Sequence, residues 1–127
     1  MNNNEKVANL NVNIKSFFRQ WILFTAPFHK LSNQQQRVLS LLLYYHYKLK
    51  QEITNNKILW KEVFDYETKV KIYTELEIQP SALENMLSNL RKKNIIIDKQ
   101  ISPMYIPNIS KDSKTFTIKF NFNIKHE

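Results

Sequence analysis

The chain has 127 residues and contains no glycine. Glycine is the residue that takes positive φ without a steric cost and lets the backbone approach a bound phosphate closely. P-loops and dinucleotide-binding turns depend on glycine at such positions, so both are excluded. Nucleotide-dependent catalysis thereby loses its commonest scaffolds. A helix that ends in the left-handed conformation has to end at another residue, and asparagine is the usual substitute.

The remaining composition indicates one folded domain. Hydrophobic residues make up 43% and charged residues 24%, close to the average of folded soluble proteins. The absence of cysteine excludes disulfides, thiolate nucleophiles and Cys-ligated zinc, and is compatible with a reducing compartment. No apolar run approaches the roughly 18 residues that span a bilayer. We therefore expect a soluble intracellular protein with no membrane partner.

The charge is strongly positive and unevenly distributed. A net charge of +8 favours an anionic partner, either nucleic acid or an acidic protein surface. Residues 1–64 contain 9 basic and 3 acidic side chains, and residues 91–127 contain 8 and 3. Residues 65–90 contain 2 basic and 5 acidic side chains, so the middle of the chain is acidic.

The N-terminal stretch is rich in aromatic residues at helical spacing, and Pro27 ends the pattern. It holds more apolar side chains than one face of a short helix can bury. They therefore belong either to the core or to a contact with a partner or a second copy. The chain divides into an N-terminal helical extension, 1–31, which packs on the domain or on a partner, and a domain, 32–127. The candidate partner interface consists of Phe17, Phe18, Trp21, Phe24 and Phe28.

Capping residues and apolar spacing predict four helices after this extension, at residues 33–50, 57–64, 66–76 and 80–93. Ser32 and Asp65 are the N-caps of the first and third, and Pro80 suits the first turn of the fourth. The last two helices are joined by a three-residue turn, which is a helix-turn-helix arrangement. Asn94 stands at the left-handed stop that follows it.

The C-terminal part predicts a β-ribbon. Apolar and polar residues alternate strictly over 116–124, the period of a strand with one buried face. We expect its partner at residues 104–109, with a third short strand at 95–97. Residues 110–114 would form the polar tip of the hairpin.

Two segments carry a resemblance to a known superfamily. Residues 71–83 and 87–96 read K-I-Y-T-E-L-E-I-Q-P-S-A-L and L-S-N-L-R-K-K-N-I-I. They resemble the winged helix-turn-helix superfamily, with its leucine-containing support helix, its turn and its basic exit from the second helix. The small size and the Asn, Lys and Ile bias also look like proteins of phages or mobile elements. Glu77 and Tyr73 depart from the pattern, since the family commonly places glycine and a small residue there.

The resemblance implies an α+β winged-helix fold with an extra N-terminal helical segment and a C-terminal β-hairpin wing. It implies a non-enzymatic regulator that binds double-stranded DNA, with Asn85 and Asn89 pairing with adenine edges. Serines of the same helix and basic residues of the helix and wing would contact phosphate or base. The candidate nucleic-acid-binding residues are Ser81, Asn85, Ser88, Asn89, Arg91, Lys92, Lys111 and Lys114.

The alternative is a virion or other assembly protein in which the winged helix makes protein contacts, because winged helices also serve as interaction modules. The acidic stretch 65–90 and the N-terminal aromatics favour it, and it makes a homo-oligomer an expectation too. The location is then the virion rather than the bacterial or host-cell cytoplasm.

Little in the sequence indicates an enzyme. His29, His46 and His126 lack the spacing of metal ligands, and no nucleophile and base stand together. We expect no catalytic residue, no metal and no cofactor.

Overall fold

The computed structural model describes residues 4–126. Within them the chain is mostly helical, with a small antiparallel sheet, which agrees with an α+β class. The elements are α1 (Ile14–Phe24), α2 (Ala26–His29), α3 (Asn33–Leu49), α4 (Asn56–Val63), α5 (Tyr66–Leu76), α6 (Pro80–Lys92), β1 (Ile96–Ile97), β2 (Gln100–Ile101) and a 3₁₀ turn (Pro103–Tyr105). Within the described range no helix is long and apolar enough to cross a membrane. The first three residues of the predicted extension and the last residue of the predicted domain lie outside this range.

The helix starts follow from their capping residues. Ser32 accepts a hydrogen bond from the N–H of Gln35 at 3.3 Å, and Asp65 accepts one from the N–H of Tyr66 at 2.8 Å. The bounds of α3 to α6 agree with the predicted ranges within one residue at each end, and those of α5 agree fully. Local capping and apolar spacing therefore determine this half of the chain.

Between residues 4 and 126, five residues take positive φ: Lys30, Glu77, Asn94, Asp98 and Lys99. Glu77 (φ 54°) ends α5, and Asn94 (φ 59°) follows α6 at the predicted stop. In the left-handed region a side chain with a Cβ costs about 1 kcal/mol, and asparagine tolerates it best. The chain thus bears this cost at Glu77 to make the three-residue turn into α6.

The core forms around α3, which α1, α4, α5 and α6 contact. Val38, Leu39, Leu42 and Leu43 of α3 are almost fully buried. The other helices and the hairpin contribute further buried side chains, among them Phe18, Ile22, Val63, Ile72, Leu83, Leu87, Leu90, Ile95 and Ile101. Because α1 contributes Phe18 and Ile22, it belongs to the same core as the helix-turn-helix.

The predicted position of the C-terminal hairpin is wrong. The hairpin pairs Ile96 with Ile101 and Ile97 with Gln100, around a two-residue turn. Both turn residues, Asp98 and Lys99, have positive φ, the pattern of a type I′ turn that matches the twist of a hairpin. The strand predicted at 95–97 thus exists, but its partner is the segment that immediately follows it.

The strands predicted at 104–109 and 116–124 do not form. Pro103 begins a 3₁₀ turn, and Pro107 has no N–H to donate, so this stretch offers no regular ladder. Segment 116–124 instead places Phe116 against α1, where its ring lies 5.4 Å from that of Phe17 and 5.6 Å from that of Trp21. Phe120, Phe122 and Ile124, further along the same alternation, are exposed.

The candidate partner interface in the N-terminal region divides into two parts. Phe18 is buried, so its assignment to a partner contact is wrong, whereas Phe17 and Trp21 are partly buried and pack against the core. The indole N–H of Trp21 donates to the carbonyl of Tyr105 at 2.8 Å, which fixes the ring. Pro27 does not end the first helix: α1 stops at Phe24, and the proline stands in the first turn of α2. The other two aromatics, Phe24 and Phe28, are exposed.

Candidate nucleic-acid interface

The helix that follows the turn, α6, is anchored by one face and free on the other. Leu83, Leu87 and Leu90 are at most 1% exposed. They hold the helix against the rest of the domain, with α5 and β1 as neighbours. The opposite face therefore projects its side chains into solvent from a rigid support, as a helix that reads a groove requires.

The predicted reading residues are not all on that free face. Ser81 and Asn85 are exposed, and so are Arg91 and Lys92 at the C-terminal end. Two more, Ser88 and Asn89, are half-buried on the flanks of the helix. Of the two predicted base-reading asparagines, Asn85 is thus the more exposed, and Asn89 is only partly accessible.

The two lysines assigned to the wing tip lie on a different structure. Lys111 and Lys114 are exposed in a turn closed by hydrogen bonds between Ser110 and Ser113. The segment before this turn is held by the Lys50 ammonium, which donates to the carbonyl of Ile109 at 2.9 Å. The segment after it is held by Phe116 on α1. The flanks of this turn are therefore attached to α3 and α1 and not to the hairpin that follows α6.

The observed hairpin places another lysine at its tip. Asp98 and Lys99 are the two turn residues, and both are exposed. Sequence reasoning missed Lys99, although an aspartate in a two-residue turn between isoleucine-rich segments is a hairpin signal. The prediction placed the hairpin at residues 104–124 instead, because apolar and polar residues alternate strictly over 116–124.

Two carboxylates of the acidic stretch 65–90 are paired. Glu84, on the exposed face of α6, receives the Lys69 ammonium at 2.9 Å. Glu75, near the end of α5, pairs with Lys15 of α1. Both pairs are partly exposed, so each adds little to stability, but each places a positive charge beside a carboxylate that would otherwise repel an anion.

A groove between α1 and α3 brings together two arginines that are distant in sequence. Arg19 and Arg37 line it with Ser16 and Ser40, and its volume is about 490 Å³. The same four residues also line an adjoining groove that reaches Glu75 at the end of α5. Neither arginine makes an ion pair within residues 4–126. Residue spacing did not indicate this pair, because the two arginines meet only through the packing of α1 and α3.

The two histidines His29 and His46 are buried in the interior. His29 accepts a hydrogen bond from the N–H of Leu31 at Nδ1 (3.0 Å), and its Nε2 lies 2.7 Å from the carbonyl of Ile22. Burial lowers its pKa, and the charge of Lys93 adds to this effect. His46 stacks on Trp60 with ring centroids 4.2 Å apart, and burial, with a smaller contribution from Lys50, lowers its pKa to about 4.

Within the described part of the chain no group of three or more His, Asp or Glu side chains is arranged to hold a metal ion. No protein-family model, curated protein or solved structure is significantly similar to the chain. Its function is therefore inferred from its own residues and their arrangement.

Proposed function

We propose that the protein is a non-enzymatic DNA-binding protein of the winged-helix type in which α6 enters the major groove. The observation that carries the proposal is the exposed polar face of α6, held rigid by three buried leucines and followed by basic residues and a hairpin. The order α3, α5, turn, α6, β1 and β2 is the order of elements in that class of protein. In this proposal the wing is the short hairpin of β1 and β2, and not the ribbon that the sequence predicted at residues 104–124.

The exposed face supplies chemistry suited to a base edge. The Asn85 side chain has an acceptor and a donor that match N6 and N7 of adenine, and it lies between Ser81 and Lys92 on the same face. Ser81, in the first turn, is suited to a phosphate or base contact. Ser88 and Asn89 are half-buried, so they contribute less to contact with DNA than their positions in the sequence suggested.

Affinity has to come from cations, because protein–DNA binding is driven largely by counterion release from phosphates. Arg91, Lys92 and the hairpin-tip Lys99 follow the reading face, and Arg19 and Arg37 line the groove beside the end of α5. None of the five makes an ion pair within the described range. Together they offset the acidic helix-turn-helix, in which Lys15 and Lys69 already pair with two of the carboxylates.

The test compares two asparagine substitutions on helices. Asn85→Ala removes the proposed base contact, whereas Asn56→Ala removes an exposed asparagine from the first turn of α4 and serves as the control. Binding is measured by fluorescence anisotropy on a sequence selected from a random duplex pool and on an unselected duplex.

We expect Asn85→Ala to weaken binding to the selected sequence by about 1–3 kcal/mol, which is about 5- to 150-fold, because one bidentate base contact is lost. Binding to the unselected duplex should change little, and Asn56→Ala should change neither. An equal loss on both duplexes would show that Asn85 does not read sequence.

A second candidate function rests on a different observation. Leu23, Phe24 and Phe28 are exposed close together in sequence at the end of α1 and in α2. Such side chains suit contacts with protein neighbours in an assembly. This alternative predicts a stable stoichiometric complex that Phe24→Ser and Phe28→Ser together abolish, with DNA binding absent in the wild type.

A further inference from the structure

Segment 116–124 has the sequence of a strand but no strand partner. Its apolar and polar residues alternate strictly, yet its backbone N–H and C=O groups make no hydrogen bond within residues 4–126. A row of unpaired backbone groups beside apolar side chains is a template for pairing with another chain. Such an edge is normally protected by charge, proline or a bulge, and within 116–124 Lys119 is the one charged residue.

The two halves of the segment differ in exposure. At the first half Phe116 packs on Phe17 and Trp21 of α1, and Ile118 is half-buried. At the second half Phe122 is 85% and Ile124 is 72% exposed. The segment therefore has a partly covered first half, in which Phe116 is still 37% exposed, and a bare second half of the same chemical character.

We propose that a second copy of this chain covers the bare half by antiparallel strand pairing about a two-fold axis at Phe120. The two copies of 116–124 then form a two-stranded ribbon. This inference concerns self-association and does not depend on DNA binding.

The segment complements itself in this register. The apolar face pairs Phe116 with the partner's Ile124, Ile118 with the partner's Phe122, and Phe120 with the partner's Phe120. The exposed second half of each copy thereby lies beside the first half of the other copy, which packs on the α1 of that other copy. On the polar face Lys119 stands opposite the partner's Asn121, so no two lysines are directly opposed. Parallel pairing in register would instead place Lys119 on the partner's Lys119, and like charges directly opposite destabilise a sheet.

The available area suits a reversible dimer. With about 200 Å² for a phenylalanine side chain, the exposed fractions of Phe120 (41%) and Phe122 (85%) correspond to about 250 Å² per copy. Two copies offer about twice that area before Ile124 and the backbone are included. This falls below the 1,200 Å² or more of stable interfaces and within the range of weak, transient ones. We therefore expect dissociation at low concentration.

The first test uses single cysteines, because the chain has none of its own. Phe120→Cys places two cysteines directly opposite one another, with Cβ atoms about 4.5–5.5 Å apart, so a small adjustment permits a disulfide. Phe122→Cys is the matched control. Its two cysteines would lie four residues apart along the ribbon, about 14 Å at 3.4 Å per residue, too far to join. Phe122 is also more exposed than Phe120, so random collisions between copies would form a disulfide faster at position 122 than at position 120.

Under mild oxidation we expect disulfide-linked dimer from Phe120→Cys at least tenfold faster than from Phe122→Cys. An equimolar mixture of Ile118→Cys and Phe122→Cys should cross-link, and each of them alone should not. Equal or faster linkage of Phe122→Cys would overturn the register and with it the proposal.

The second test needs no cysteine. Sedimentation velocity of the wild type should show a concentration-dependent shift from 15.3 kDa towards twice that mass. Phe120→Lys, which opposes two lysines at the axis, should weaken association at least tenfold, with an unchanged circular dichroism spectrum because the residue lies outside the helical core. A wild type that stays monomeric at all concentrations, or a dimer unaffected by Phe120→Lys, would refute the proposal.

Discussion

His46 makes the stability of the fold depend on pH in a way that the structure defines. Its ring stacks on Trp60 at 4.2 Å with an interplanar angle of 15°, and burial, aided by the charge of Lys50, holds its pKa at about 4 instead of 6.5. In the unfolded chain the ring regains the ordinary pKa of histidine, near 6.5. Between these two values the unfolded chain binds a proton that the folded chain does not bind.

The sign follows from proton linkage. Where the unfolded state binds more protons, the free energy of unfolding falls as the pH falls. The loss from His46 therefore begins near pH 6.5 and is nearly complete at about pH 4. One pKa unit corresponds to about 1.4 kcal/mol, so the shift corresponds to about 2–3 kcal/mol after allowance for the slight exposure of the ring. Above pH 7 the ring is neutral in both states and has no effect on the pH dependence.

Replacement by phenylalanine tests this reasoning. His46→Phe preserves an aromatic ring beside Trp60 and removes the titrating group. Urea unfolding is followed by far-ultraviolet circular dichroism at pH 7.5, 6.5, 5.5 and 4.5 for the wild type, His46→Phe and the exposed-site control His126→Phe. His29, whose pKa is also lowered, and the carboxylates are present in all three proteins and cancel in the differences.

We expect the stability of His46→Phe relative to the wild type to rise by about 2 kcal/mol from pH 7.5 to pH 4.5. The corresponding difference for His126→Phe should change much less. A His46→Phe difference that stays constant with pH would refute the assignment of a neutral, buried ring.

Three further predictions concern the turn, the core and the groove. Glu77→Gly should raise the free energy of unfolding by up to about 1 kcal/mol, because glycine takes the left-handed conformation without a Cβ clash; a loss of stability in urea unfolding would contradict this. Leu87→Ala should lower it by about 2–5 kcal/mol by leaving a cavity, whereas exposed Leu23→Ala should change it by less than about 1; equal effects would contradict the burial of α6. Arg19→Ala with Arg37→Ala should reduce the slope of log affinity for DNA against log salt by about 2, and an unchanged slope would exclude the groove from phosphate contact.

The helices were predictable because their signals are local. Ser32 and Asp65 cap, Pro80 starts a helix, and the leucine stripe of α6 appears directly in the sequence. Each of these effects acts within about one helical turn, so no knowledge of the tertiary structure was needed.

The hairpin was not predictable in the same way because a period of two identifies a strand-like segment without identifying its partner. The turn at Asp98 and Lys99 pairs β1 with its nearest neighbour in sequence, which leaves segment 116–124 without one. A short loop is also closed at a lower entropic cost than a long one.

The site was predictable only in part. The exposed position of Asn85 follows from helical periodicity, whereas the partial burial of Asn89 depends on tertiary packing around α6. The Arg19 and Arg37 groove depends on the packing of α1 along α3, which spacing in the sequence does not specify.

The most direct test of DNA binding is fluorescence anisotropy of the wild-type protein with a mixed-sequence duplex between 50 and 200 mM salt. Five phosphate contacts, one for each of the five cations, would give a slope of about −4.5 and a loss of affinity of about 500-fold over that range. We expect a steep decrease of this order, with a residual preference for some sequences at the highest salt. Little or no binding at 50 mM salt would contradict the proposed function despite the net charge of +8, and would favour protein neighbours as the partners of this chain.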